Sequence, residues 1–163
     1  MYSYSGYMAP EYALHGQFSV KSDVFSFGVL VLEIIAGQKN KRFLNGESIE
    51  YLLGYAWNSW RNGTPSDIID LTLMTGSGSL GDITRIIHIG LLCVQENIVN
   101  RPTMASVIHM LNSFSIMLPI PAEPAFFMPS NIDPEMPLLH EYSSLRLSQH
   151  SANEVSVSDF VPR

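Results

Sequence analysis

The stretch Ser19-Val20-Lys21-Ser22-Asp23-Val24-Phe25-Ser26-Phe27-Gly28-Val29-Leu30-Val31-Leu32-Glu33-Ile34-Ile35-Ala36-Gly37 decides the fold class. From Val24 to Ala36 it is an apolar run interrupted by Ser26, Gly28 and Glu33. It is too short for a membrane span, which needs about 20 residues. A helix from about Asp23 to Ala36 fits it, with Ser22 or Asp23 as N-cap and Gly37 as C-cap. Its apolar residues Val24, Phe25, Phe27, Val29, Leu30, Val31, Leu32, Ile34 and Ile35 surround the axis, which predicts a central, buried helix.

Three more helices read outward from this one. Ile49, Leu52, Leu53, Ala56, Trp57 and Trp60 share one helical face within about Ser48 to Arg61. Ile83, Ile86, Ile87 and Leu91, broadened by Ile89 and Leu92, define a helix over about Asp82 to Glu96. Met104, Val107, Ile108 and Leu111 define a last one over about Thr103 to Phe114, with Thr103 as N-cap. No segment alternates convincingly as a strand. The reading is all-α, with a long connection from Gly63 to Gly81.

The folded part is read as residues 1–114. Beyond it Pro119, Pro121, Pro124, Pro129, Pro134, Pro137 and Pro162 deny the chain a regular helix, and the end from Ser143 to Ser158 is serine-rich. Residues 115–163 read as an extended or disordered tail, with Phe126 and Phe127 as candidate contacts with the domain.

Composition narrows the function classes. Hydrophobic residues make up 46% and charged residues 15%, a globular balance. A net charge of -6, with no basic stripe beyond Lys39, Lys41 and Arg42, argues against nucleic acid as the main partner. The single cysteine, Cys93, cannot form an internal disulfide or a multi-cysteine metal site, and a reducing compartment such as the cytosol fits it best. The start, Met1-Tyr2-Ser3-Tyr4-Ser5, has no signal-peptide pattern.

Three blocks carry a family resemblance. Gly6-Tyr7-Met8-Ala9-Pro10-Glu11-Tyr12 resembles the end of a protein-kinase activation segment, with Ala9-Pro10-Glu11 as its A-P-E motif. The stretch from Ser19 to Val29 is similar to the opening of the central helix of the kinase C-lobe. Asn100-Arg101-Pro102-Thr103-Met104 resembles the turn before that lobe's last helix. Gly90 to Glu96 and Leu118 to Phe127 look like plant receptor-like kinases, especially the cysteine-rich class, as does Ser151 to Ser158. The resemblance covers roughly residues 6–163.

The resemblance implies roles residue by residue. Glu11 would pair with Arg101 and clamp the activation segment to the last helices, a task suited to a bidentate carboxylate–guanidinium pair; the alternative is a weak surface pair. Asp23 would anchor the catalytic loop from the start of the central helix, or else act as a helix cap. Leu30 and Ile34 would form a hydrophobic spine beneath the adenine side, or plain core packing. Gly6, Tyr7 and Met8 would shape the pocket for the substrate residue just after the phosphorylated one.

The parent reaction implied is phosphoryl transfer from ATP, with magnesium, to protein Ser or Thr. The motifs V-A-I-K, H-R-D and D-F-G that family members use for it are absent from these 163 residues. No catalytic residue and no metal ligand is therefore assigned here, and no cofactor is expected to bind this chain. Met1 to Ser5 departs from the family pattern, with Tyr4 where the family has Thr, and reads as a truncated gene, an alternative start or a mis-called exon. Gly76-Ser77-Gly78-Ser79-Leu80-Gly81 matches G-x-G-x-x-G but has no strand before it, so a flexible linker is the better reading. His15, His88, His109, His140 and His150 lack ligand spacing. Cys93 reads as core, and Ser143, Ser144, Ser156 and Ser158 are possible phosphorylation sites.

The expected function is a C-lobe fragment of a receptor-like Ser/Thr kinase, inactive alone, with protein substrates or partner kinases as partners. Its place would be the cytoplasm, beneath a plasma-membrane parent receptor. The alternative is a regulatory module that competes for the kinase's partners. With part of the central helix's cover missing, the isolated chain should be marginally stable and aggregation-prone.

Overall fold

In the computed structural model, residues 6–40, 42–45, 48–75 and 78–127 are described. Six helices lie among them: α1 Pro10–His15, α2 Val20–Ala36, α3 Leu52–Arg61, α4 Leu71–Met74, α5 Leu80–Cys93 and α6 Met104–Asn112. Short 3-10 turns occupy Pro65–Ile68 and Ile98–Asn100. A small antiparallel hairpin pairs β1, Arg42–Asn45, with β2, Ser48–Tyr51. The all-α core expected from the sequence is present, with this hairpin as its only sheet among the described residues.

The central helix starts at Val20, three residues before the Asp23 expected from the sequence. Ser19 is the N-cap residue, and its backbone N–H donates to Ser22 Oγ at 3.2 Å. Asp23 therefore sits inside the first turn, where a negative charge suits the helix dipole. At the other end Gly37 adopts φ 63°, the left-handed conformation that lets a helix stop. One side of α2 is buried through Val24, Phe25, Val29, Leu32 and Ile35. The opposite side is not: Leu30 is 48% and Ile34 63% exposed. The all-round burial expected from composition is thus corrected, because no described element packs over that stripe.

The α2–α5 contact is the heart of the core, and glycine makes it close. A Cβ on Gly28 would stand 2.6 Å from Cys93 Cβ and 2.8 Å from Val94 Cγ1. Gly90 answers from α5, where a Cβ would meet Leu32 Cγ at 3.1 Å. Leu52, Leu53, Ala56 and Trp57 of α3 complete the main cluster. A second, smaller cluster joins Val24, Ile89, Cys93 and Val107, with Phe27, Met110 and Leu111 packed against it.

Other boundaries shift for identifiable reasons. Ser48-Ile49-Glu50-Tyr51 alternates apolar and polar as well as fitting a helix, and a run this short satisfies either period; it forms β2, and α3 begins at Leu52. The connection from Gly63 to Gly81 is not bare: Ile68 and Ile69 are buried, and Asp70 caps α4 by accepting from Thr72 N at 2.8 Å. Helix α6 begins after Thr103, whose Oγ1 accepts from Ser106 N at 3.1 Å. Its end is held by Arg85, which donates to the carbonyls of Met110, Ser113 and Ile116. Only Val107 of α6 is buried, whereas Met104 and Ile108 face outward.

Packing continues past Phe114, where the sequence reading places the end of the folded part. Residues 118–127 run against α5, α2 and α3, with Pro121, Pro124 and Ala125 buried. Phe126 meets Phe25 edge-on, and Phe127 lies against Gly54. Pro129 to Arg163, including the four tail serines, His140 and His150, lie outside the described residues, as do Gly76 and Ser77 of the glycine run. The segment before that run is helix α4 and not a strand.

Candidate functional site

Residues 6–17 form a loop, a short helix and a stop. Pro10 takes the first position of α1, where its missing N–H costs nothing. Gly16, at φ 64°, ends the helix by donating to Tyr12 O at 2.9 Å, and Gln17 N donates to Glu11 O at 3.2 Å. This places the Glu11 side chain inward, 6% exposed.

There it meets Arg101, which is 1% exposed. Arg101 Nη1 donates to Glu11 Oε1 at 2.8 Å and Nη2 to Oε2 at 3.1 Å, a bidentate pair. Nη1 also donates to Lys21 O at 3.3 Å, Nη2 to Glu96 O at 3.2 Å and Nε to Gln95 O at 2.7 Å. All five guanidinium N–H groups are thus engaged. The guanidinium carbon also lies 5.0 Å from the centre of the Phe25 ring. Ser22 Oγ adds a donor to Glu11 Oε1 at 2.9 Å, and Lys21 Nζ donates to Arg101 O. Burial by itself would push the Glu11 carboxyl up; hydrogen bonds from Arg101, the backbone and Ser22 outweigh it and hold the group below the ordinary carboxylate range.

The loop of Gly6, Tyr7 and Met8 is exposed but gripped from α2 and the turn after it. Ser26 Oγ donates to Tyr7 O at 2.7 Å and Asn40 Nδ2 to Gly6 O at 3.0 Å. Tyr7 OH donates to Glu33 Oε2 at 2.5 Å, while Glu33 Oε1 accepts from Asn40 N at 2.5 Å. The hydrogen bond to Glu33 raises the phenol's pKa, so Tyr7 stays a neutral donor. A Cβ on Gly6 would come within 2.9 Å of Asn40 O, so only glycine fits.

The remaining anticipated residues share one side of α2. Asp23 is exposed on α2, and Leu30 and Ile34 lie on the same uncovered side rather than in the core. Cys93 is fully buried and its thiol is pushed up to about 12 by that burial, so it is an inert core residue. No group of three His, Cys, Asp or Glu side chains among the described residues could hold a metal. No helix there is long and apolar enough to cross a membrane. Chemically, the site can fix and present a loop.

Sequence reasoning missed Ser26, Glu33, Asn40 and Gln95. Two of these left a trace: Ser26 and Glu33 interrupt the apolar run of α2, seven residues apart and therefore on one side. Both reach the Gly6–Tyr7 loop.

A family model described as protein tyrosine and serine/threonine kinase matches residues 3–111. The chain belongs to that family. Its relatives include cysteine-rich receptor-like protein kinase 29 of Arabidopsis thaliana, 54% identical over 97% of this chain and 23% of the relative. Cysteine-rich receptor-like protein kinase 44 of the same plant is 49% identical over 97% of this chain and 41% of its own length. Among solved structures, the pseudokinase domain of BIR2, an immune regulator of the RLK/Pelle family, superposes with a TM-score of 0.55 at 28% identity. That match covers 66% of this chain and 32% of the BIR2 chain. This kinase-family chain thus spans about a quarter of the length of the first relative. The comparisons favour a piece of a receptor-like kinase over an independent binding module.

Proposed function

We propose that this chain supplies the end of the activation segment and the C-lobe helices of a receptor-like Ser/Thr kinase. The parent reaction is phosphoryl transfer from ATP to protein Ser or Thr, on the cytoplasmic side of the plasma membrane. ATP and magnesium belong to residues of the intact kinase other than those described here, and protein substrates or partner kinases meet the Gly6–Met8 loop. One observation carries the reading: a buried, five-donor Arg101 clamps Glu11 at the base of that loop. Such an arrangement fixes the loop's geometry without contributing any reacting group.

Two measurements test it. Calorimetry of the purified 163-residue chain with ATP and magnesium should show no binding, whereas saturable micromolar binding would reveal a nucleotide site and overturn the reading. A graft of residues 6–127 into the matching part of the Arabidopsis kinase 29 should retain ATP-dependent phosphorylation of a protein substrate. The same graft with Glu11→Ala should lose most of it. An inactive parental graft that is folded would sink the assignment.

A further inference from the structure

The segment Leu118–Phe127 is more than a covered end. It touches the Val94-Gln95-Glu96 turn at three polar points: Ala125 N donates to Val94 O at 2.9 Å, Glu96 N to Glu123 O at 3.1 Å, and Ala122 N to Gln95 Oε1 at 2.7 Å. From its other side the same turn is held by Arg101, through the carbonyls of Gln95 and Glu96. Gln95 Nε2 ties the turn to Leu92 O and Asn100 O, each at 2.9 Å. A second route runs through aromatic rings. Phe126 stands edge-on to Phe25 with centroids 6.4 Å apart, and Phe25 is the ring beneath the Arg101 guanidinium. Phe126 achieves this at φ 59°, the one positive φ outside glycine among the described residues. A bulky side chain in that region is strained, and such strain persists only where surrounding contacts impose it.

We infer that the 118–127 strap and the Glu11–Arg101 clamp are energetically coupled, through the Val94–Glu96 turn and the Phe25 ring, so that the strap controls how firmly residues 6–17 are held. A partner that draws the strap off the turn would leave Arg101 with two acceptor carbonyls free to move and with its aromatic platform uncovered. The loop and α1 would then open more often, though neither is touched by that partner. Coupling of this kind needs a shared network, and each link of it is a direct contact.

Amide hydrogen exchange on the full 163-residue chain reads the coupling. Phe126→Gly removes the ring while suiting the left-handed backbone, so it withdraws the contact without adding strain. The reporters are the amides of Gly16 and Gln17, which close the end of α1; the reference is Asp70 N, bonded to Ile35 O at 2.8 Å. The substitution should speed exchange at Gly16 and Gln17 by about threefold or more, the scale of neighbours in one network, while Asp70 is unchanged. Unchanged reporters, or equal acceleration at all three, would overturn the inference. Should Phe126→Gly fail to fold, Phe126→Leu, which keeps the apolar mass and loses the edge-on ring, is judged by the same comparison.

Discussion

Arg101 is a large cation held almost wholly out of water, and its five donors explain how it can be there. Removing one partner of a buried pair leaves an uncompensated charge, at a cost of about 3–5 kcal/mol. Glu11→Ala should therefore lower the denaturant midpoint of the chain sharply, or abolish the transition, when followed by circular dichroism. The pH dependence has a definite sign. The folded-state pKa of Glu11 lies below its ordinary 4.5, so its contribution is present above that pH and is lost as pH falls through the folded value. Stability measured below pH 4.5 should decline in the native chain and decline less in Glu11→Gln. An identical acid profile in the two would show that the clamp does not dominate there.

At the scale of elements, α2 has two unlike sides. Its inner side meets α5 through Gly28, where an added methyl would collide with Cys93 and Val94. Gly28→Ala should cost about 1–3 kcal/mol as an overpacked site, despite alanine's better helix propensity; a stabilised variant in thermal melts would contradict the packing. The outer side carries Leu30 and Ile34 half-exposed or more. Replacing both with serine should cost only about 1–2.5 kcal/mol in unfolding free energy for the pair, since roughly half of each side chain is already exposed. It should also reduce light scattering at raised concentration. A large loss of stability would mean that something covers this stripe.

For the molecule as a whole, Cys93 is a single built-in reporter. It sits fully buried where both core clusters meet α5, with its thiol pushed up to about 12. Alkylation by iodoacetamide at pH 8 should be negligible in the native chain and complete in denaturant, so the native rate measures opening of the core. Rapid labelling under native conditions would show that the lobe opens readily without further cover on α2. His88 adds a milder dependence. Burial lowers its pKa and its Nε2 donates to Pro119 O at 2.8 Å, so stability is present above its ordinary 6.5 and falls below it.

Much of this was legible in the residues. The long apolar run, the caps at Gly37 and Thr103 and the faces of α3 and α5 follow from local periodicity and end chemistry, which need no partner to be read. Leu30 and Ile34 could not be placed that way: apolarity says that a side chain favours burial, not whether another element comes to cover it. Nor could the Ser48–Tyr51 stretch, which suits either period until the hairpin chooses. Sequence alone determined the helical class, the family resemblance and the identities of Glu11 and Arg101. Only the tertiary structure decided that those two meet in a buried bidentate pair, that Ser26, Glu33 and Asn40 hold the Gly6–Tyr7 loop, and that residues 118–127 belong to the packed unit. Those are contacts between residues from 7 to 90 positions apart, and such contacts are set by how helices pack rather than by any local pattern.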